Sequence, residues 1–275
     1  MTTVLKTEDL RKQFGELTAV DGVSIEIDDS EITSIIGPNG AGKTTFYNLL
    51  TGVLQPTAGS IWLRSGDAAV VGDGDAAGGD GRAGGDGGLR DITDSEPHEV
   101  AQAGLSRSYQ ITNIFEGLTV RENVRVARIS HEKTRLDFRS RATGDEKLEA
   151  DIEELLELTG LTDIADTTCD TLSHGEKRTV EIALALAIEP NVFLMDEPTA
   201  GMNPTEVTEI VSLIRELDAD LDATFVVTEH NMDVVTDISD RIVVLAEGAI
   251  LADGTPEDVL TDDRVTEAYL GSDSV

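Results

Sequence analysis

Cysteine is nearly missing from this 275-residue chain, with Cys169 its only example. That excludes an internal disulfide and any metal site built on several thiolates, and it suits a reducing compartment. Aromatic side chains make up 4% of the sequence, too few for a surface on which nucleobases stack. Basic residues are outnumbered, 21 against 54 acidic, which leaves a formal net charge of −33. Such a field repels phosphate backbones and anionic lipid, so nucleic acid is excluded as a partner. The charge has two readings: a solvated surface, or, as favoured here, adaptation to a cytoplasm of molar salt, where the screening length shrinks to about 3 Å. Long apolar runs are absent as well. Ile182 to Ile188 and Val192 to Met195 are the most apolar stretches, well short of the roughly 20 residues that cross a bilayer. The opening MTTVLKTEDLRKQF has no basic flank leading into an apolar core, so no secretory signal is expected and the expected location is the cytoplasm.

The remaining 39% hydrophobic content is ordinary for a compact fold. VLKTEDL and AVDGVSIEI alternate with period two around a glycine-containing turn, which predicts an antiparallel β layer. From Glu31 onward, short apolar runs (ITSII, VFLM, ATFVVT) are each followed by turn chemistry and a helical pattern. This predicts an α/β core with buried parallel strands, whose carboxyl ends carry the chemistry. LEADIEELLELTGL places Leu148, Ile152, Leu155 and Leu156 on one helical face, within a helical lobe expected over residues 112–172. Residues 65–88 hold ten glycines and five aspartates and read as a flexible insertion at a hairpin turn. A calcium-binding repeat is the rival reading, but its register fails at Ala83. RIVVLAEGAILADGTPEDVL reads as strand, tight Glu247-Gly248 turn, strand, and a helix begun by Thr255 and Pro256.

GPNGAGKTT at 37–45 lies between the strand ITSII and the helical pattern FYNLLTGV, the context that a Walker A phosphate loop requires. Backbone N–H groups must turn inward around phosphate oxygens. Gly37, Gly40 and Gly42, with Pro38, Asn39 and Ala41 between them, permit that approach; Lys43 reaches the β- and γ-phosphates, Thr44 can ligate Mg²⁺, and Thr45 follows on the helix. NVFLMDE ends a buried strand in two carboxylates. Beside phosphates, Asp196 would hold Mg²⁺ through its water shell and Glu197 would polarise the attacking water; the plainer alternative is an acidic helix N-terminus. Ser173 and Glu176 form a capping-box pattern ahead of EKRTVEIALALAI, and the helix N-terminus so freed is also an anion site.

Taken in order, the Walker A loop, SYQ at 108–110, LSHGE at 172–176, the Walker B strand, AGMN at 200–203 and TEH at 228–230 resemble an ATP-binding cassette (ABC) ATPase over nearly the whole chain, residues 4–272. The resemblance implies a P-loop NTPase core with an inserted helical lobe. It implies ATP and Mg²⁺ as ligands, with Gln110 sensing metal and water and His230 as the switch histidine at the γ-phosphate. Ser173 and Gly175 would bind the γ-phosphate held by a second subunit, in a homo- or heterodimer. Phe14 takes the place of the aromatic that stacks on adenine, or else is a core phenylalanine of the β layer. Three positions depart from the family pattern: His174 for the first signature glycine, Glu176 for glutamine, and Asn203 for the D-loop aspartate.

DITDSEPHEVAQAGLSRSYQ, FEGLTVRENVRVA, EPTAGMNP and the ending VTEAYLG look like the longer ATPase of branched-chain amino acid importers. That implies membrane permease subunits as partners, an extracytoplasmic solute-binding protein as an indirect one, and a peripheral position on the cytoplasmic face of the membrane. Export-type ABC ATPases share several of these stretches. A soluble ABC ATPase of DNA repair or translation is disfavoured by the charge, and a small-molecule P-loop kinase leaves the signature and His230 unexplained.

Overall fold

The computed structural model describes residues 2–29, 31–64, 88–108, 114–135 and 144–272. Gln110 and most of the glycine/aspartate stretch, 65–87, therefore lie outside the described residues.

Strands β1 (Thr3–Phe14) and β2 (Leu17–Asp28) form the expected antiparallel hairpin, Phe14 opposite Leu17 and Thr3 opposite Asp28. β4 (Ala58–Arg64) adds to the other edge of β1, and β5 (Leu89–Asp91) pairs with β4, Arg64 opposite Leu89. The two ends of the glycine/aspartate stretch are thus neighbours across a hairpin.

The second sheet runs β10-β9-β3-β8-β7-β6. β3 (Thr33–Ile36), β7 (Val192–Asp196) and β8 (Thr224–Thr228) are buried throughout. β9 (Arg241–Ala246) and β6 (Leu105–Ser108) run parallel beside them, and β10 (Ala249–Gly254) closes one edge antiparallel. The β9–β10 turn uses Glu247 (φ 50°) and Gly248 (φ 81°), the two left-handed residues that a tight hairpin needs.

Period-two alternation assigns the two faces of this sheet. Val192 and Leu194 of β7 pack with Val226 of β8, the antiparallel layer and α1 (Lys43–Leu50). Phe193, Met195, Phe225 and Val227 point the other way, onto α5 (His174–Leu186), α6 (Pro204–Asp220) and α7 (Met232–Ile238). Continuing the alternation, Asp196 and Thr228 emerge on the α1 face at the carboxyl ends of their strands, where ligands bind in open parallel sheets.

The helical lobe holds α3 (Val120–Arg135) and α4 (Gly144–Leu158). Leu148, Ile152 and Leu156 are buried there with Val120, Val124 and Cys169, while Leu155 is partly buried beside them. Val180 and Ala183 of α5 join the same cluster, so the helix that begins at the signature is packed into the lobe. Arginines of α3 face acids of α4: Arg121 pairs with Glu153, Arg125 with Glu149 and Arg128 with Asp151. Helices α8 (Pro256–Leu260), capped by Thr255, and α9 (Asp263–Ser272) close the chain against β9 and β10. Among the described residues no helix is long and apolar enough to cross a membrane.

Candidate functional site

The loop from Gly37 to Gly42 is held by three neighbours. A Cβ at Gly37 (φ 154°) would stand 2.1 Å from the Leu245 carbonyl of β9, and one at Gly42 (φ 102°) 2.3 Å from the Ala19 carbonyl of β2. Only glycine fits either place. Gly248 closes the third side, donating its N–H to Ala41 O at 3.0 Å while its own carbonyl accepts from Asp21 N–H at 2.8 Å. From α9, Tyr269 receives a hydrogen bond from the Gly37 main chain, and burial pushes its phenol up to about 12. Asn39, Gly40 and Thr44 face solvent on the open side, with Pro38, Lys43 and Thr45 half-buried.

Lys43 folds back across the loop and donates to the carbonyls of Gly37 (2.6 Å) and Pro38 (3.2 Å). Burial lowers its pKa from the ordinary lysine value, and the nearby Glu197 and Asp196 carboxylates oppose the shift.

Asp196 is held on both oxygens. Oδ1 accepts from the Thr228 hydroxyl at 2.7 Å, and Oδ2 from Arg107 Nη2 at 2.6 Å. Arg107 also donates to Asn48 Oδ1 at 2.7 Å and lies 5.4 Å from the ring centroid of Tyr47. It ties β6 and α1 to the Walker B carboxylate. Burial, and then the Asp196 charge, push the Tyr47 phenol well above its ordinary value, against the pull of Arg107.

Glu197 has a left-handed backbone (φ 47°), uncommon for a residue other than glycine and a form of strain that gathers at functional sites. Its N–H donates to the Thr228 carbonyl at 2.9 Å. Its Oε1 lies 2.8 Å from Nε2 of His230, so the side chains expected from sequence as base and switch meet directly. Arg178 of α5 donates to the carbonyls of Asp196 (2.8 Å) and Pro198 (3.3 Å), fastening the signature helix to the end of β7. Glu229, buried beside His230, accepts from Thr199 and from His230 N–H.

The signature lies elsewhere in the chain. Ser173 caps α5 and completes its capping box with Glu176. Gly175 faces Glu206 of α6, and His174 Nε2 sits 3.4 Å from the Ala200 carbonyl. Among the described residues, neither Ser173 nor Gly175 hydrogen-bonds to the 37–45 loop. Asn203 caps α6, accepting from Thr205 and Glu206 N–H. Phe14, at the end of β1, is 45% exposed with the Lys12 ammonium 5.2 Å from its ring centroid, so it is outside the core.

The structure thus brings Lys43, Asp196, Glu197 and His230 together at the ends of β3, β7 and β8; among the described residues Ser173 and Gly175 hydrogen-bond to none of them. Sequence reasoning missed Arg107, Arg178 and Glu229. Each is a buried charge within or beside a recognised motif, Glu229 inside TEH, Arg107 just before SYQ and Arg178 two residues past LSHGE, and that position was the only signal available.

A phosphate loop, a carboxylate-ended strand and a helical lobe carrying a separate signature define a P-loop nucleoside triphosphatase of the ATP-binding-cassette type. Residues 20–200 match the ABC transporter family, and residues 249–275 match the family described as branched-chain amino acid ATP-binding cassette transporter. The chain is 36% identical over 273 residues to the high-affinity branched-chain amino acid transport ATP-binding protein BraF of Pseudomonas aeruginosa, covering 98% of each chain. It is 37% identical over 274 residues to the corresponding protein LivG of Escherichia coli K12, again covering 98% of each. A crystal structure of the ADP conformation of an ATP-binding cassette of an ABC transporter superposes with a TM-score of 0.78 at 31% identity, covering 98% of this chain and 100% of that one. The chain belongs to the ABC transporter family, as one of its ATP-binding, ATP-hydrolysing subunits.

Proposed function

We propose that this subunit powers import of a branched-chain amino acid or a related small polar solute, working as one half of a two-subunit ATP sandwich against membrane permease subunits. The observation that carries the solute class is the C-terminal match over residues 249–275, joined to full-length similarity to two branched-chain amino acid transport proteins. Two features support the pairing of subunits: the likeness to ABC cassettes, and Ser173 and Gly175, which among the described residues make no hydrogen bond to the 37–45 loop. A γ-phosphate on the 37–45 loop is completed by those groups from a second chain.

The residues take the following roles. Main-chain N–H groups from Asn39 through Thr45, at the N-terminus of α1, wrap the phosphates. Lys43 exchanges the Gly37 and Pro38 carbonyls for the β- and γ-phosphates, which supply the negative charge its burial calls for. Thr44, Asp196 and Gln110 offer hard oxygen donors that suit Mg²⁺, and the exposed Thr44 hydroxyl lies open to it. When bound, the ion neutralises charge on the β- and γ-oxygens. Glu197 takes a proton from water as the water oxygen bonds to the γ-phosphorus and the bond to the ADP oxygen breaks. His230 orients Glu197 and faces the γ-phosphate, and Phe14 stacks on adenine.

The subunit sits on the cytoplasmic face of the membrane through the permease, with an extracytoplasmic solute-binding protein acting only indirectly. The charge of −33 fits a molar-salt cytoplasm. The test is co-expression with candidate branched-chain amino acid permease subunits from the same genome, followed by ATP-driven uptake into vesicles. Uptake of leucine, isoleucine or valine above that of unrelated solutes supports the assignment, and a functional transporter that moves none of these or other small polar solutes overturns it.

A further inference from the structure

Glu229 is a carboxylate at 3% exposure, and the roles above leave it without a task. A buried charge survives only when it is hydrogen-bonded or paired. Its Oε1 accepts from Thr199 N–H at 2.8 Å and from the Thr199 hydroxyl at 2.7 Å, and its Oε2 accepts from His230 N–H at 3.1 Å. Among the described residues none of these partners is a cation. No counter-charge among them holds the carboxylate: Glu229 follows β8 on the same loop as His230, so Oε2 accepts from the next residue's N–H while the two Oε1 bonds cross to the loop after β7. One loop carries Thr199, two residues beyond Glu197, and the other carries His230. The side chains borne by these loops meet at 2.8 Å, Glu197 Oε1 to His230 Nε2.

We propose that Glu229 is a positioning residue: Oε1 ties its own loop, after β8, to the loop after β7, Oε2 fixes the side chain against the His230 N–H, and together they form a clamp that sets the register between Glu197 and His230. The clamp rests on the reading of those two side chains as the water-activating and switch groups. Both oxygens accept from N–H donors, Oε1 across the loops and Oε2 within its own, so a carboxylate is required in full. A glutamine of the same shape offers one acceptor oxygen, and its NH₂ would face an N–H donor. Glu229→Gln therefore loses either the cross-loop bonds to Thr199 or the bond that fixes the side chain at His230, while keeping the volume of the site.

The experiment measures steady-state ATP hydrolysis for Glu229→Gln, His230→Ala and the double variant, alongside Glu197→Gln. One lost hydrogen bond to a charged group corresponds to a tenfold to hundredfold effect, roughly. Glu229→Gln is expected to lower kcat by about that factor with KM for ATP within about threefold. In the His230→Ala background the same change is expected to cost less than about twofold, because the group it positions is gone. A merely structural residue would give a fully multiplicative loss in the double variant, and that result, or wild-type kcat in Glu229→Gln, overturns the clamp. Should Glu229→Gln fail to fold, Thr199→Val removes one of the two donors to Oε1. A severalfold loss of kcat that disappears with His230→Ala supports the proposal, and unchanged kcat overturns it. Normal hydrolysis in both Glu197→Gln and His230→Ala would overturn the reading of the site itself, whereas loss in those two with none in Glu229→Gln overturns only the clamp.

Discussion

Arg107→Ala probes how the Walker B carboxylate is held. The Arg107 and Asp196 side chains are 6% and 12% exposed and meet at 2.6 Å, so truncation leaves Asp196 as a buried charge with one partner removed. Breaking a buried pair in this way costs about 3–5 kcal/mol. The bond to Asn48 and the contact over Tyr47 are lost with it, which places the expectation toward the upper end. At about 2–4 °C per kcal/mol for a domain of this size, the midpoint of thermal unfolding falls by roughly 10 °C or more. Burial shields the pair from ions, so the loss persists in molar KCl. Arg125 supplies the control: its pair with Glu149 is 39% and 46% exposed, and Arg125→Ala is expected to cost less than about 1 kcal/mol. Denaturant unfolding of both variants at low and molar KCl measures this. Adding Asp196→Asn to Arg107→Ala recovers part of the loss, since the orphaned charge is gone. An Arg107→Ala cost below about 1 kcal/mol, or no recovery in the double variant, would refute the reasoning.

Lys43→Ala is expected to weaken equilibrium binding of a non-hydrolysable ATP analogue by at least about tenfold, since it removes a charge-assisted contact to the β- and γ-phosphates; unchanged affinity contradicts the Lys43 role. The charge of −33 predicts an unfolding midpoint that rises from dilute buffer to molar KCl as self-repulsion is screened, and a flat or falling midpoint refutes the salt adaptation. Because Arg64 pairs with Leu89, replacing residues 65–88 by an Asn-Gly turn joins strands that are already adjacent. Stability is expected to hold or rise by up to about 2 kcal/mol, with hydrolysis unchanged; loss of ATP-driven dimerisation would show that the stretch has a task.

What could be read from sequence was whatever depends on local chain geometry. The glycines of the phosphate loop announce left-handed turns and close approaches, and those at Gly37 and Gly42 are filled by Leu245 and Ala19 carbonyls. The apolar run of β7 ending in Asp196 and Glu197, the alternation of β1 and β2, and the Thr255 cap of α8 are local in the same sense. Strand β6 was not legible, because LSRS has no apolar run and becomes a strand only through its pairing with β7. Arg178 lies on a helix where a charge reads as solvated, yet it is buried against the end of β7. Glu229 was passed over for the same reason: its meaning comes from Thr199, 30 residues away. The sequence leaves Phe14 open between core and ligand face, and its exposure removes only the core reading; Gln110 lies outside the described residues.

The account turns on Glu197 as the group that activates water beside a loop-bound γ-phosphate. Replacing it by glutamine keeps the shape and a hydrogen bond to His230 while removing the base. The decisive measurement is ATP turnover of Glu197→Gln together with its affinity for ATP and its oligomeric state. Turnover is expected to fall at least about a hundredfold, with ATP affinity retained and a closed dimer accumulating when ATP is added. Turnover near the wild-type rate, with no ATP-dependent dimer, would contradict the central claim.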